Sequence, residues 1–177
     1  MQLADAALPE AVRTTKPLSV LYSYLRPYAL YHLTGEAHMI EVAGIDHLVL
    51  RTTKLNQMLD FYTRVLGCRI ERQSSAETGL TQLRAGFSLI DIVDVNGRLG
   101  RLGGAAPTAQ GNNLDHFCLQ IKSIPEDELV KHLEGFGIEV GEFAERYGAQ
   151  GLGRSIYIKD PEGNTVELRN RMASPAA

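Results

Sequence analysis

The chain has 177 residues, 44% of them hydrophobic and 22% charged, with a formal net charge of −3. This is the composition of a soluble globular domain, long enough to bury a core without disulfides or a structural metal, and its two cysteines exclude a disulfide scaffold. No basic block marks a nucleic-acid footprint, no apolar run reaches the roughly 18 residues of a membrane span, and a reducing cytoplasm is the expected location.

Residues 1–38 differ in character from the rest of the chain. They hold Tyr22, Tyr24, Tyr28 and Tyr31, four of the seven tyrosines, along with His32 and His38, and Pro17 and Pro27 interrupt their apolar stretch. Asp5 and Glu10 speak against a secretory signal or a transit peptide. A tail, an over-long start with Met39 as the true first residue, and an ordered arm are all open readings, and no chemistry is placed there.

From residue 44 the pattern is regular. Ile45–Arg51 reads as a strand. Leu55, Met58, Leu59, Tyr62 and Leu66 recur at helical spacing until Gly67. Cys68–Arg72, Leu80–Leu83 and Phe87–Val93 read as three further strands. A glycine-rich linker comes next, residues 98–112; Gly103 and Gly104 lack the lysine of a phosphate-binding loop and belong to it.

The same order then repeats. Leu114–Gln120 is a strand and Pro125–Phe136 a helix with proline at its first turn. Ile138–Val140, Ser155–Ile158 and Thr165–Leu168 are strands, the last after the turn Asp160-Pro-Glu-Gly-Asn164. The chain is therefore read as an N-terminal extension (1–38), one domain (44–170) and a tail (171–177). The domain divides into βαβββ repeats at 44–97 and 113–170. Each repeat is too small to cover its own sheet, so two must pair. The expected fold is α+β: paired βαβββ modules forming curved mixed sheets around a concave metal-binding cleft, with the helices outside.

Side chains two apart on a strand share a face. His47, Val49 and Arg51 therefore point together, as do His116, Cys118 and Gln120. Asp91 and Glu167 sit at matching places inside otherwise apolar strands, where a carboxylate is costly unless paired or bound to a cation. Two imidazoles and two acids at repeat-equivalent positions suit a borderline divalent ion: Mn, Fe, Co, Ni or Zn. The competing explanation is local hydrogen bonding by each histidine, with the acids paired to Arg51 or Arg169.

Asp46-His47, Phe61-Tyr62 with Leu66-Gly67, Asp115-His116, and Asp160-Pro161-Glu162-Gly163-Asn164 with Glu167 together resemble the vicinal oxygen chelate superfamily. That group includes glyoxalase I, extradiol dioxygenases, fosfomycin-resistance enzymes, methylmalonyl-CoA epimerase and bleomycin-binding proteins. Arg146–Gly151, read as a loop before Ser155-Ile-Tyr157, is most similar to the small stand-alone glyoxalase-domain proteins. The resemblance implies a divalent metal held by His47, His116 and Glu167. The fourth position, Glu or Gln in the glyoxalase and epimerase branches, is Asp91 here, one methylene shorter. It also implies that Glu167 moves the proton and that Arg51 contacts a substrate carboxylate.

Arg146 and Arg154, flanking a glycine-rich loop, are candidates to clamp an anionic substrate, and Tyr157 to orient a substrate oxygen. Asn96 is a weaker candidate contact. Cys68 and Cys118 read as small core residues, and His132 as solvent-facing. The leading expectation is a metal-dependent glyoxalase-like lyase or isomerase. It would act, as a homodimer, on a small oxygen-chelating substrate such as a glutathione hemithioacetal, through an enediolate. The alternatives are an Fe(II) extradiol ring-cleaving dioxygenase and a metal-free small-molecule or antibiotic-binding protein.

Overall fold

Alternating apolar and polar side chains form strand β1 (His47–Thr52), two residues later than the sequence suggests. The computed structural model describes residues 42–111 and 113–171, so the expectations for residues 1–38 and for the tail beyond Arg171 lie outside it. After β1 the apolar spacing gives helix α1 (Leu55–Asp60), which runs directly into a π-helical turn, Phe61–Val65. There Leu66 N–H bonds the Phe61 carbonyl at 3.1 Å. This wider winding keeps Phe61, Tyr62 and Val65 all on the buried side. Gly67, at φ +70°, then turns the chain out in a left-handed conformation that other residues rarely adopt.

Strands β2 (Arg69–Gln73), β3 (Leu80–Ala85) and β4 (Ser88–Asp94) complete the first sheet in the order β1-β4-β3-β2. β1 and β4 are parallel, which the helical crossover permits. The linker is not wholly irregular, because it holds a short helix, α2 (Arg98–Leu102). The second module repeats the plan with β5 (His116–Ile121), α3 (Glu126–Gly135), β6 (Ala144–Gly148), β7 (Gly151–Lys159) and β8 (Thr165–Asn170). Its sheet order is β5-β8-β7-β6. The α+β fold of two βαβββ modules is thus as expected.

Two local expectations fail. Ile138–Val140 is not a strand; Ile138 and Val140 pack on the core instead of pairing. The edge strand is β6, which takes in the first half of the supposed Arg146–Gly151 loop and forms a hairpin with β7.

One apolar core joins the modules, with Leu50, Met58, Tyr62 and Leu83 from the first and Leu133, Ile156, Val166 and Leu168 from the second. Cys68 belongs to it, as expected. The helical segments of the two modules meet there. His132, expected in solvent, donates from Nε2 to the Val65 carbonyl at 2.8 Å, and Arg64 stacks over Phe136 at 5.7 Å.

The turn after β7 clamps the two halves. Buried Asp160 accepts from the Tyr62 hydroxyl at 2.9 Å and from the Glu162 and Asn164 backbone N–H groups at 3.0 and 2.9 Å. Glu162 accepts from the hydroxyls of Thr52 at 2.5 Å and Thr53 at 3.0 Å, and Lys54 Nζ donates to the Pro161 carbonyl at 2.6 Å. These bonds to ionised groups are the stronger kind.

Candidate metal centre

Each sheet packs one face on the shared core and turns the other outward. The period of two puts His47 and Val49 on the outward face of the first sheet, where Val49 is 51% exposed. On this face Val49 and Gln82 flank Asp91 on the neighbouring strands. In the second sheet Cys118 and Tyr157 flank Glu167 in the same way. The placement of His47, Asp91, His116 and Glu167 on matching faces is therefore as the sequence implied.

Both histidines are steered by the residue before them. Nδ1 of His47 donates to Asp46 and Nδ1 of His116 to Asp115, each at 2.7 Å. That leaves Nε2 of each ring with its lone pair, the orientation a carboxylate gives a metal-binding imidazole. The Asp46 bond also raises the His47 pKa above its ordinary value. In the sequence these two aspartates show only as a repeated Asp-His pair, which by itself assigns them no role.

The acids are buried: Asp91 is 5% exposed and Glu167 6%. Glu167 Oε2 lies 3.4 Å from His116 Nε2. Asp91 instead accepts from Gln82 Nε2 through both oxygens, at 3.1 and 3.0 Å. The four donors thus form two pairs, one on each sheet, and among the described residues of one chain no three metal-ligating side chains gather. Two imidazoles with two carboxylates nevertheless make a donor set suited to a borderline divalent ion, so the residues present fit one if both pairs supply it.

Neither acid is neutralised by the arginines suggested for it. Arg51 donates to the carbonyls of Gly100, Gly104 and Ala105 at 2.9, 2.8 and 2.9 Å, pinning the linker. Arg169 donates to the carbonyl of Arg146 at 2.8 Å and to that of Gly151, pinning the β6–β7 hairpin. Arg154 forms a two-pronged ion pair with Glu126, its Nη2 bond at 2.8 Å. Asn96 turns back on Asp94.

Arg146 stands beside the second pair. It donates to the Ser155 carbonyl at 2.7 Å and stacks 4.2 Å over the Tyr157 ring, which meets His116 edge-on at 5.2 Å. Cys118, expected in the core, is exposed on this same face. Its thiol is pushed up to about 11, by desolvation first and then by the Glu167 carboxylate, so it is a neutral neighbour of the pair at physiological pH.

Residues 44–168 match the model of the Glyoxalase/Bleomycin resistance protein/Dioxygenase superfamily. The chain belongs to that superfamily. Among relatives, Glyoxalase domain-containing protein RDO1 of Mycosarcoma maydis is 31% identical over 134 residues, covering 75% of this chain and 71% of its own. Virulence protein STM3117 of Salmonella typhimurium is also 31% identical over 134 residues, covering 75% of this chain and 88% of its own. The solved V. cholerae integron cassette protein VCH_CASS1 has a TM-score of 0.58 and 26% identity, covering 76% of this chain and 100% of its own. Membership of the glyoxalase superfamily confirms the resemblance drawn from the repeated Asp-His pairs and the closing Glu167. No helix among the described residues is long and apolar enough to cross a membrane.

Proposed function

We propose that this chain is a metal-dependent glyoxalase-like lyase or isomerase whose site closes between two copies of the chain. The His47 face of one copy meets the His116–Glu167 face of the other. His47, His116 and Glu167 hold a divalent ion (Ni, Co, Mn, Fe or Zn), with Asp91 beside them. The observation that carries this reading is the division of the donors into two pairs on outward sheet faces. Superfamily membership supports it independently. The cytoplasm is the compartment proposed.

Bound there, the ion would polarise adjacent oxygens of a small chelating substrate, such as a glutathione hemithioacetal. Glu167 is the group placed to move a proton from the carbon beside the carbonyl. Tyr157 orients a substrate oxygen from the same face. Arg146, held in place by Ser155 and Tyr157, binds an anionic substrate group. Arg51 spends both terminal nitrogens on linker carbonyls and Arg154 is ion-paired with Glu126, whereas Arg146 bonds the protein through Nη1 alone, which leaves its Nη2 for that task.

The test mixes two inactive variants, His47→Ala and His116→Ala. A hybrid dimer contains one site with every ligand intact, so refolding the mixture should restore hemithioacetal isomerisation and about one tightly bound metal per hybrid. Failure of the mixture to regain either would reject a site shared between chains. Elemental analysis of protein purified without chelators or nickel resin identifies the ion.

A second reading, Fe(II)-dependent ring cleavage of a catechol, is favoured by Tyr157. Its phenol shares the face of His116 and Glu167, and ring-cleaving members of the superfamily carry an additional acid–base histidine or tyrosine near the metal. Oxygen uptake by the ferrous-loaded protein with catechol distinguishes the two.

A further inference from the structure

The two half-sites are built from equivalent positions but are not in the same state. Opposite Glu167 stands Tyr157, whose ring rests on His116 and leaves the carboxylate directed at the His116 ring, 3.4 Å away. Opposite Asp91, at the matching register position, stands Gln82. Its amide donates to both Asp91 oxygens, at 3.1 and 3.0 Å. Among the described residues Asp91 forms no ion pair with His47, whose Nδ1 is turned to Asp46.

An amide N–H and a metal ion compete for the same carboxylate lone pairs. Asp91 is also one methylene shorter than Glu167, so it has less reach with which to serve both. It is buried, and giving up a hydrogen bond there carries a desolvation cost.

We infer that Gln82 is a positioning residue that holds Asp91 outside the coordination sphere, so that the centre has three protein ligands rather than four. The inference rests on the metal-binding reading above. Its consequence is a coordination position left open where a fourth protein ligand would sit, with Asp91 beside it as a hydrogen-bond acceptor.

The experiment measures zinc affinity of the full chain by competition with a chromophoric chelator. The proteins are the parent, Gln82→Met, Gln82→Leu, Asp91→Asn and the Gln82→Met/Asp91→Asn double variant. Losing the amide frees Asp91 to ligate, so Gln82→Met should tighten zinc binding by about tenfold. Gln82→Leu serves the same purpose should the methionine variant fold poorly. Asp91→Asn alone should stay within about twofold of the parent, and the double variant should lose the tightening. Weakening by about tenfold in Asp91→Asn, or no tightening in either Gln82 variant, overturns the inference while leaving the metal reading intact. A parent protein that binds none of zinc, nickel, cobalt, manganese or ferrous iron overturns both. A merely structural role for Gln82 would lower stability without tightening zinc binding.

Discussion

Asp46 and Asp115 matter because of where they leave their neighbours' lone pairs. Each accepts the Nδ1 proton of the following histidine, so Nε2 is the nitrogen offered outward. Asp115 is 97% exposed, which means that it can be removed with little effect on packing. Asp115→Ala is therefore expected to weaken zinc binding by about tenfold while leaving the thermal midpoint unchanged, checked by chelator competition beside calorimetry. The shared outward face of the candidate ligands was legible in the sequence because two repeats mark the same strand positions. The role of the aspartates was not, since an adjacent Asp-His pair does not reveal which way either ring turns. Gln82 was equally hidden: only the β3–β4 register brings it opposite Asp91. Cys118 was misread for a simpler reason. An apolar neighbourhood in sequence says core, but its strand position puts it on the histidine face, which the core does not cover.

The elements were legible wherever apolar periodicity decided them and misread where a single side chain did. The β6–β7 hairpin reads as a loop because of its glycines, yet those glycines are what allow Arg169 to lie across it. A Cβ on Gly153 would come within 2.7 Å of the Arg169 guanidinium. Ile138–Val140 reads as strand because three residues carry too little pattern to separate an edge strand from a buried connector. Helix α2 supplies a sharper test. Glycine within a helix ordinarily costs about 1 kcal/mol relative to alanine, so Gly100→Ala should stabilise a free helix. Here a Cβ at Gly100 would sit 2.0 Å from the Asp94 carbonyl oxygen, which is backbone. Gly100→Ala is therefore expected to destabilise by about 1–3 kcal/mol. Gly153→Ala should cost less, because a guanidinium can shift where a backbone carbonyl cannot. Urea denaturation of both variants checks the order.

Across the molecule, the apolar core and the Asp160 turn make the two modules one folding unit. Burial, together with Asp160, raises the pKa of the Tyr62 hydroxyl, and burial likewise raises that of Cys68. Both groups are held neutral in the fold and ionise earlier in the unfolded chain. Their contribution is therefore complete below about pH 8.5 and falls as the pH climbs past about 10, where unfolding releases protons. Tyr62→Phe should lower stability by about 1–2 kcal/mol at neutral pH and make the alkaline decline shallower, seen in urea midpoints at neutral pH and at about pH 10.5. The contacts group the chain from Gly44 onward as a unit. We expect a chain beginning at Met39 to melt within about 2 °C of the full chain, and a markedly lower midpoint would show that residues 1–38 support the fold.

The shared core also has a meaning in time. Tyr62 waits for an acceptor 98 positions further along the chain, which at ribosomal speeds of about 5–20 residues per second is roughly 5–20 s of synthesis. For that interval the nascent first module presents Met58, Tyr62 and Leu83 while Leu133, Ile156, Val166 and Leu168 of the same core are still unmade. The growing chain is then most exposed to chaperones and to sticking, and the Asp160 turn is the late event that closes the window.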